Sequence, residues 1–417
     1  MEPESALKLL AKRADEAEIF CVKEHSKTLE IKNGEVDLFK ESTSKGYGIR
    51  VVDGKRTGFA FSNRLDRTII DRALGSVKIA EVDRHATLPR AQKYGTGGGY
   101  DNEIESLDTD VMLDFMDDLL APCKDYDVIP TSGSIGALSY EEEVTNSHGI
   151  SGKDTGTTIY AHLSTVAKNT GVSTGFYYDV SRALDLDFGE IGREASRLAR
   201  TSLNAGRVET MKTRLILRPH AVSELFENAL MPSFSSDNVQ RNRSFLAGKT
   251  GETIAAEINM TDDGTLKDGL LTGKFDSEGV APMSTPLVKD GMLCGFLYDT
   301  YTANKAGTKS TGNASRDGFS SLPQVAPTNV AVSGKGDIGE GLVVHGLIGA
   351  HTSNPVSGDF SVEVRNAFLD GRPVKKAIIS GNIFELLKNI EGFGKDKKQF
   401  SHIVTPSIAF SDVTVVG

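Results

Sequence analysis

Asx-Gly pairs set the strongest constraint on how this chain can fold. Asn33-Gly34, Asp53-Gly54, Asp263-Gly264, Asp290-Gly291 and Asp370-Gly371 punctuate its stretches of short-period apolar alternation. Gly tolerates the positive φ that a two-residue hairpin turn needs, so an Asx-Gly pair between apolar runs is a strong short-range hairpin signal. The clearest case joins Pro286-Leu287-Val288 to the run Met292–Tyr298 through Asp290-Gly291. Such a hairpin would bring together two polar, Gly-containing loops, Phe275–Gly279 and Ser310–Arg316. One loop carries the carboxylates of Asp276 and Glu278; the other carries Thr311, Asn313 and Arg316.

The remaining patterns predict an α+β chain: an N-terminal helix plus antiparallel-strand units, followed by a β-rich C-terminal domain. Leu7, Leu10, Ala11 and Ala14 form an apolar stripe on a helix over 5–15. The period then falls to two, and strands are expected over 17–22, 28–32, 35–40, 45–52 and 57–61. A helix over 67–79 follows, with Asp66 near its start. This is a first unit, 1–82. Residues 83–107, with Leu88-Pro89 and Gly95–Gly99, read as a linker. GTGGGY lacks both the GxxxxGK[ST] spacing and a preceding apolar strand, which argues against a phosphate loop.

A central unit, 108–206, repeats the theme. Helices are expected over 109–120 and 188–205, with strands over 128–134, 137–144, 157–166 and 173–180 between them. The third unit, 207–417, opens with a strand over 214–217 and a helix started by Pro219 and running over 220–231. Two central strands over 341–348 and 375–379, a helix over 383–390 and a last strand over 408–416 complete it. Its size is ordinary for one domain.

Charge and cysteine usage exclude several function classes. With 57 acidic against 47 basic residues the net charge is −10, which repels a phosphate backbone, so no nucleic-acid partner is expected. No apolar stretch approaches the length of a membrane span. Cys21, Cys123 and Cys294 are far apart and form no C-x-x-C pair, which fits reduced thiols in the cytoplasm. His220 and Glu224 share one face of the helix expected there, a spacing that can hold a divalent metal, but no third ligand is identifiable.

The order of short motifs resembles the TldD/PmbA family, once described as modulators of DNA gyrase. The resemblance is carried by Phe275-Asp276-Ser277-Glu278-Gly279, Lys289-Asp290-Gly291, Ala303 with Gly307, and Ser310-Thr311-Gly312-Asn313 with Arg316. Pro327-Thr328-Asn329, Gly358-Asp359-Phe360-Ser361 and Ser380-Gly381-Asn382 continue it, and Asn146-Ser147-His148-Gly149 extends it into the first half. In that family, TldD-type chains hold zinc through an HExxxH helix and a cysteine near the C-terminus. Here the corresponding stretch is Pro219-His220-Ala221-Val222-Ser223-Glu224, and the tail Ser401–Ser407 has no cysteine.

That pattern is similar to the PmbA branch, also called TldE. The resemblance implies a non-metal-binding subunit of a heteromeric, cytoplasmic zinc peptidase that cleaves unfolded peptides. Zinc would sit on a TldD-type partner and none on this chain. Asp276, Glu278, Thr311, Asn313 and Arg316 are the expected groove residues toward substrate or partner. Two alternatives stand beside this reading: a metallopeptidase with its own rearranged site at His220 and Glu224, and a homodimeric, non-catalytic peptide-binding protein. A self-dimer is compatible with each.

Overall fold

Strands β1 (Glu16–Lys32), β2 (Glu35–Asp53) and β3 (Arg56–Ser62) form the first antiparallel meander, in a computed structural model describing residues 1–417. They turn at the two Asx-Gly-containing corners expected from the sequence, with Asn33 and Gly34 both at positive φ. β4 (Ile129–Asn146), β5 (Ser151–Lys168) and β6 (Val172–Ser181) continue the same sheet, whose order is β3-β2-β1-β4-β5-β6. β1 pairs with β2 on one side and β4 on the other, so the first and central units share one sheet.

The strands expected as short pieces are therefore long and continuous: 17–22 and 28–32 are both β1, 35–40 and 45–52 are both β2, and 128–134 and 137–144 are both β4. The physical reason is that one sheet serves two cores. At one end Ile19, Ile49 and Val51 pack under helices Pro3–Leu10 and Arg67–Val77. At the other, Leu29, Ile31, Ile135 and Leu163 pack under helices Thr109–Leu120 and Phe188–Thr201. The polar stretch Lys23–Lys27 crosses between the cores, where alternation has no apolar face to report.

Helix starts follow their capping residues. Asp66 accepts the N–H groups of Thr68 and Ile69 at 2.8 and 3.2 Å, and Asp108 accepts that of Val111 at 2.9 Å. The first helix ends at Leu10, short of the expected 15.

In the C-terminal region five strands close a small barrel: Met211–Leu217, Leu342–Ile348, Asp359–Leu369, Ile378–Asn382 and Ile408–Val416. Closure comes from Leu342–Ile348, which pairs parallel to Met211–Leu217 and antiparallel to Asp359–Leu369. Helix Pro219–Leu225 runs on through a wider turn, Phe226–Leu230, and shares one core with these strands through Ala221, Val222, Phe226 and Phe410. A second sheet, containing Ile258–Asp263, Ser284–Lys289, Val330–Gly334 and Ile403–Thr405, packs on the same core.

The hairpin at Asp290-Gly291 forms, with φ of 48° and 78° at its two turn residues, but it is shorter than expected. Strand Met292–Leu293 ends early, and Asp299 then caps a helix, Thr300–Ala306, that alternation did not announce. Asp299 and Thr302 form a reciprocal capping box, which competes successfully with continued pairing.

The Gly-rich linker threads between the two halves. Arg182 donates to Gly99 O at 2.9 Å, to Thr272 O at 2.7 Å and to Tyr140 Oη at 3.2 Å. A Cβ on Gly98 would stand 2.1 Å from Thr272 O and 2.5 Å from Arg182 Nη1, so only glycine allows this close passage.

Candidate functional site

A buried ionic network holds the N-terminal sheet on the C-terminal domain. Glu18 on β1 and Arg50 on β2 are cross-strand partners, and Arg50 Nη2 lies 2.6 Å from Glu18 Oε2. Arg50 Nη1 reaches across to Glu278 Oε1 at 2.8 Å. From the C-terminal side Arg316 pairs with the other oxygen of Glu18 and donates to Ser321 O at 2.8 Å. Its guanidinium also lies over the Phe20 ring, 4.9 Å from the centroid. Glu278 is fully buried and its second oxygen accepts the Thr300 N–H at 2.9 Å.

The two carboxylates that the loop Phe275–Gly279 contributes part ways. Burial pushes both up, but Arg50 holds Glu278 below the usual carboxylate range. Asp276 is driven upward by burial and then by the charge of Glu278. Its Oδ1 accepts the N–H groups of Glu278 and Val280 at 2.9 Å each, and its Oδ2 accepts that of Ala314 at 3.0 Å. These bonds join the two loops that the hairpin was expected to bring together.

Asn313 completes the junction. Its Nδ2 donates to Asp262 Oδ2 at 2.7 Å and Ala326 O at 3.0 Å, while its Oδ1 accepts from Thr311 at 2.7 Å. Of the five expected groove residues, Asp276 and Asn313 line a cavity of about 350 Å³ between the two halves. Glu278, Thr311 and Arg316 do not line it; they stand behind its wall.

Alternation alone did not single out the cavity's other titratable groups. Glu142 on β4 projects into it beside Asp154 on β5, and burial followed by the Asp154 charge pushes Glu142 up to about 7. The run Tyr140-Glu141-Glu142-Glu143 carried a detectable signal: on a strand, Glu142 must face opposite to its two acidic neighbours. His402 lines both this cavity and a larger one of about 570 Å³, which contains Glu227, Asp299 and Tyr301. The His402 backbone N–H donates to Glu227 Oε1 at 3.1 Å, and its Nδ1 lies 3.3 Å from Thr328 O. Segment Pro323–Pro327 borders the larger cavity, and its last two residues also border the smaller.

His220 and Glu224 do come together, 3.6 Å apart, but their surroundings do not suit zinc. Glu224 Oε2 accepts the Leu347 N–H at 2.6 Å and its Oε1 lies 3.2 Å from Arg365 Nη2. A guanidinium and a backbone amide thus already engage this carboxylate, which burial nevertheless holds above its usual range. The His220 ring packs against Tyr178 and Phe400, with centroids 4.9 and 5.2 Å away. Burial and then Arg365 push His220 down to about 3, so it is neutral in the fold. No third His, Cys, Asp or Glu joins the pair as a metal-holding group. A zinc site needs about three protein donors and an open position, so this donor set does not fit the metal.

Three family models match consecutive stretches of the chain: PmbA/TldA metallopeptidase domain 1 over residues 17–80, the central domain over 91–203 and the C-terminal domain over 210–417. An uncharacterized protein of Methanocaldococcus jannaschii is 35% identical over 98% of this chain and 99% of its own length. Metalloprotease PmbA of Escherichia coli O157:H7 is 25% identical, covering 99% of this chain and 95% of its own. The crystal structure of TldE from Thermococcus kodakarensis superposes with a TM-score of 0.93 at 29% identity, covering 99% of each chain.

Proposed function

The chain belongs to the PmbA/TldD metallopeptidase family, and on that premise we propose that it is the non-metal-binding subunit of a heteromeric zinc peptidase. In this reading a TldD-type partner carries the metal and the base that activates its water, and this chain helps to hold an unfolded peptide. The observation that supports it most is the state of the stretch where TldD-type chains carry HExxxH. Glu224 is engaged by Arg365 and by the Leu347 N–H, the His220 ring is packed against Tyr178 and Phe400, and no third donor joins the pair. Neither stands free as a ligand or base for hydrolysis.

The cavities on either side of Pro323–Pro327 supply the peptide groove. Asp276 and Asn313 contribute directly to its wall, with His402, Glu142 and Asp154. Thr311 orients Asn313, and Glu278 and Arg316 hold the wall in place through Arg50 and Glu18. The complex works in the cytoplasm, in keeping with free thiols at Cys21, Cys123 and Cys294. No helix is long and apolar enough to cross a membrane.

The test is hydrolysis of an unstructured peptide by this chain, by a TldD-type partner and by their mixture, with zinc measured in each. Activity and zinc appearing only with the partner are expected. Chelator-sensitive activity from this chain alone, lost with zinc in His220→Ala, would overturn the reading and favour a rearranged site at His220 and Glu224.

A further inference from the structure

The acidity of this chain is concentrated on one outer corner of the central unit. Residues 108–127 carry seven Asp against one Lys, and residues 184–193 carry three acids against one Arg. Together these two segments hold −8 of the chain's net charge of −10. They wall a groove of about 520 Å³. One wall is the C-terminal part of helix Thr109–Leu120 with the short turn Pro122–Asp125 that continues it. The other is the connection leading into helix Phe188–Thr201. The floor is apolar: Phe115 and Phe188 stack at 4.5 Å, and Leu184 and Leu186 are half-buried beside them.

The rim is charged. Asp118 and Asp125 stand exposed on one side and Asp187 on the other. Ion pairs within the chain take up little of this charge: Arg193 meets Glu190 at 2.8 Å and Arg200 meets Asp127 at 3.5 Å. Asp187 caps its helix, accepting the Glu190 N–H at 2.8 Å. Asp110, Asp114 and Asp118 follow one another at four-residue spacing, where like charges on a helix repel. Asp117 and Asp118 occupy the last turn, which has no basic residue and where the helix dipole disfavours negative charge. Local helix stability therefore works against these carboxylates, and a cation from outside relieves the repulsion that the fold leaves standing.

We propose that this groove docks a basic amphipathic segment of another protein, with an aromatic or branched aliphatic side chain on the floor between Phe115 and Leu186 and Lys or Arg side chains against the rim. Charge selects that occupant, since the same corner of a second copy and a phosphate backbone are both repelled. The groove belongs to the helix-covered face of the six-stranded sheet, the face of Leu29 and Ile135. The cavity between the two halves lies on the opposite face, with Glu24 and Glu142. Docking in the groove leaves that cavity free, so the proposal does not rest on the peptidase reading.

The chain has no Trp, so a short synthetic peptide alternating Lys with Leu around one central Trp reports its own burial through a blue shift of its emission. Wild type is expected to bind it saturably, with slower hydrogen exchange over 109–125 and 184–189. Ala121→Glu, at an exposed position lining the groove, fills it while adding negative charge, and should weaken binding about tenfold or more. Asp118→Asn combined with Asp125→Asn should weaken binding about threefold or more and flatten its salt dependence. Both are measured where circular dichroism shows the variant folded. The same peptide with Glu for Lys, or with Ser for Leu, should not bind. No binding to wild type, undiminished binding to either variant, or equal binding of the Ser-for-Leu peptide would each overturn the proposal. So would protection confined to the residues around His402, which would put the peptide in the cavity between the halves instead.

Discussion

Glu278→Gln isolates the network that joins the two halves of the molecule. The substitution preserves the shape of a fully buried side chain and removes its charge. Arg50 and Arg316 are then left to share Glu18, so one positive charge stays buried without its counter-ion. Breaking one partner out of a buried pair costs about 3–5 kcal/mol. The loss is offset in part because Asp276 no longer faces the Glu278 charge. A net destabilisation of about 3 kcal/mol is expected, which lowers the melting temperature by roughly 5–10 °C for a unit of domain size.

Asp276 adds a pH signature to the same experiment. Its folded-state pKa is raised, so between its unfolded and folded values the native state binds the proton and the unfolded chain releases it. Wild-type stability should therefore fall as pH rises from about 4 through neutrality, in respect of this group. In Glu278→Gln the opposing charge is gone, and that slope should flatten. Melting followed by circular dichroism at several pH values reads both effects. An unchanged melting temperature, or a slope as steep as that of wild type, would refute the assignment of these groups to one coupled interface.

Three further outcomes follow from the geometry. His220 is depressed to about 3 in the fold, so its contribution is present above the unfolded value of about 6.5 and is lost as pH falls toward 3; His220→Phe should flatten that acid limb of the melting profile. Gly98→Ala places a Cβ 2.1 Å from Thr272 O and should cost about 1–3 kcal/mol, with faster proteolytic cleavage in the linker 83–107 as the readout. Asn313→Ala leaves the buried carboxylate of Asp262 without one of its donors and should cost about 1–3 kcal/mol in a denaturation assay, with no rescue by Asn313→Leu.

Much of the local structure was legible because its causes are local. The turn at Asp290-Gly291 needs only its own two residues in positive φ, and the helix starts at Asp66 and Pro219 need only a cap or a preset φ. The meeting of loops Phe275–Gly279 and Ser310–Arg316 was legible for the same reason, since a hairpin between them shortens the path. The helix Thr300–Ala306 was missed because the apolar residues before it mimic a continuing strand, and its capping box is a stronger local signal than their alternation.

By itself, then, the sequence determined the α+β class, the turns, most helices and the absence of HExxxH. Each of these rests on residues near one another in the chain. Only the tertiary structure decided that β1, β2 and β4 run unbroken past their polar middles, because a second core lay waiting beyond Lys27. It also decided that Glu278 and Arg316 face inward to Arg50 and Glu18, more than two hundred positions away, rather than toward a groove. Burial and charge pairing are properties of what folds against a side chain, and residues so distant in sequence leave no periodicity from which that contact can be read.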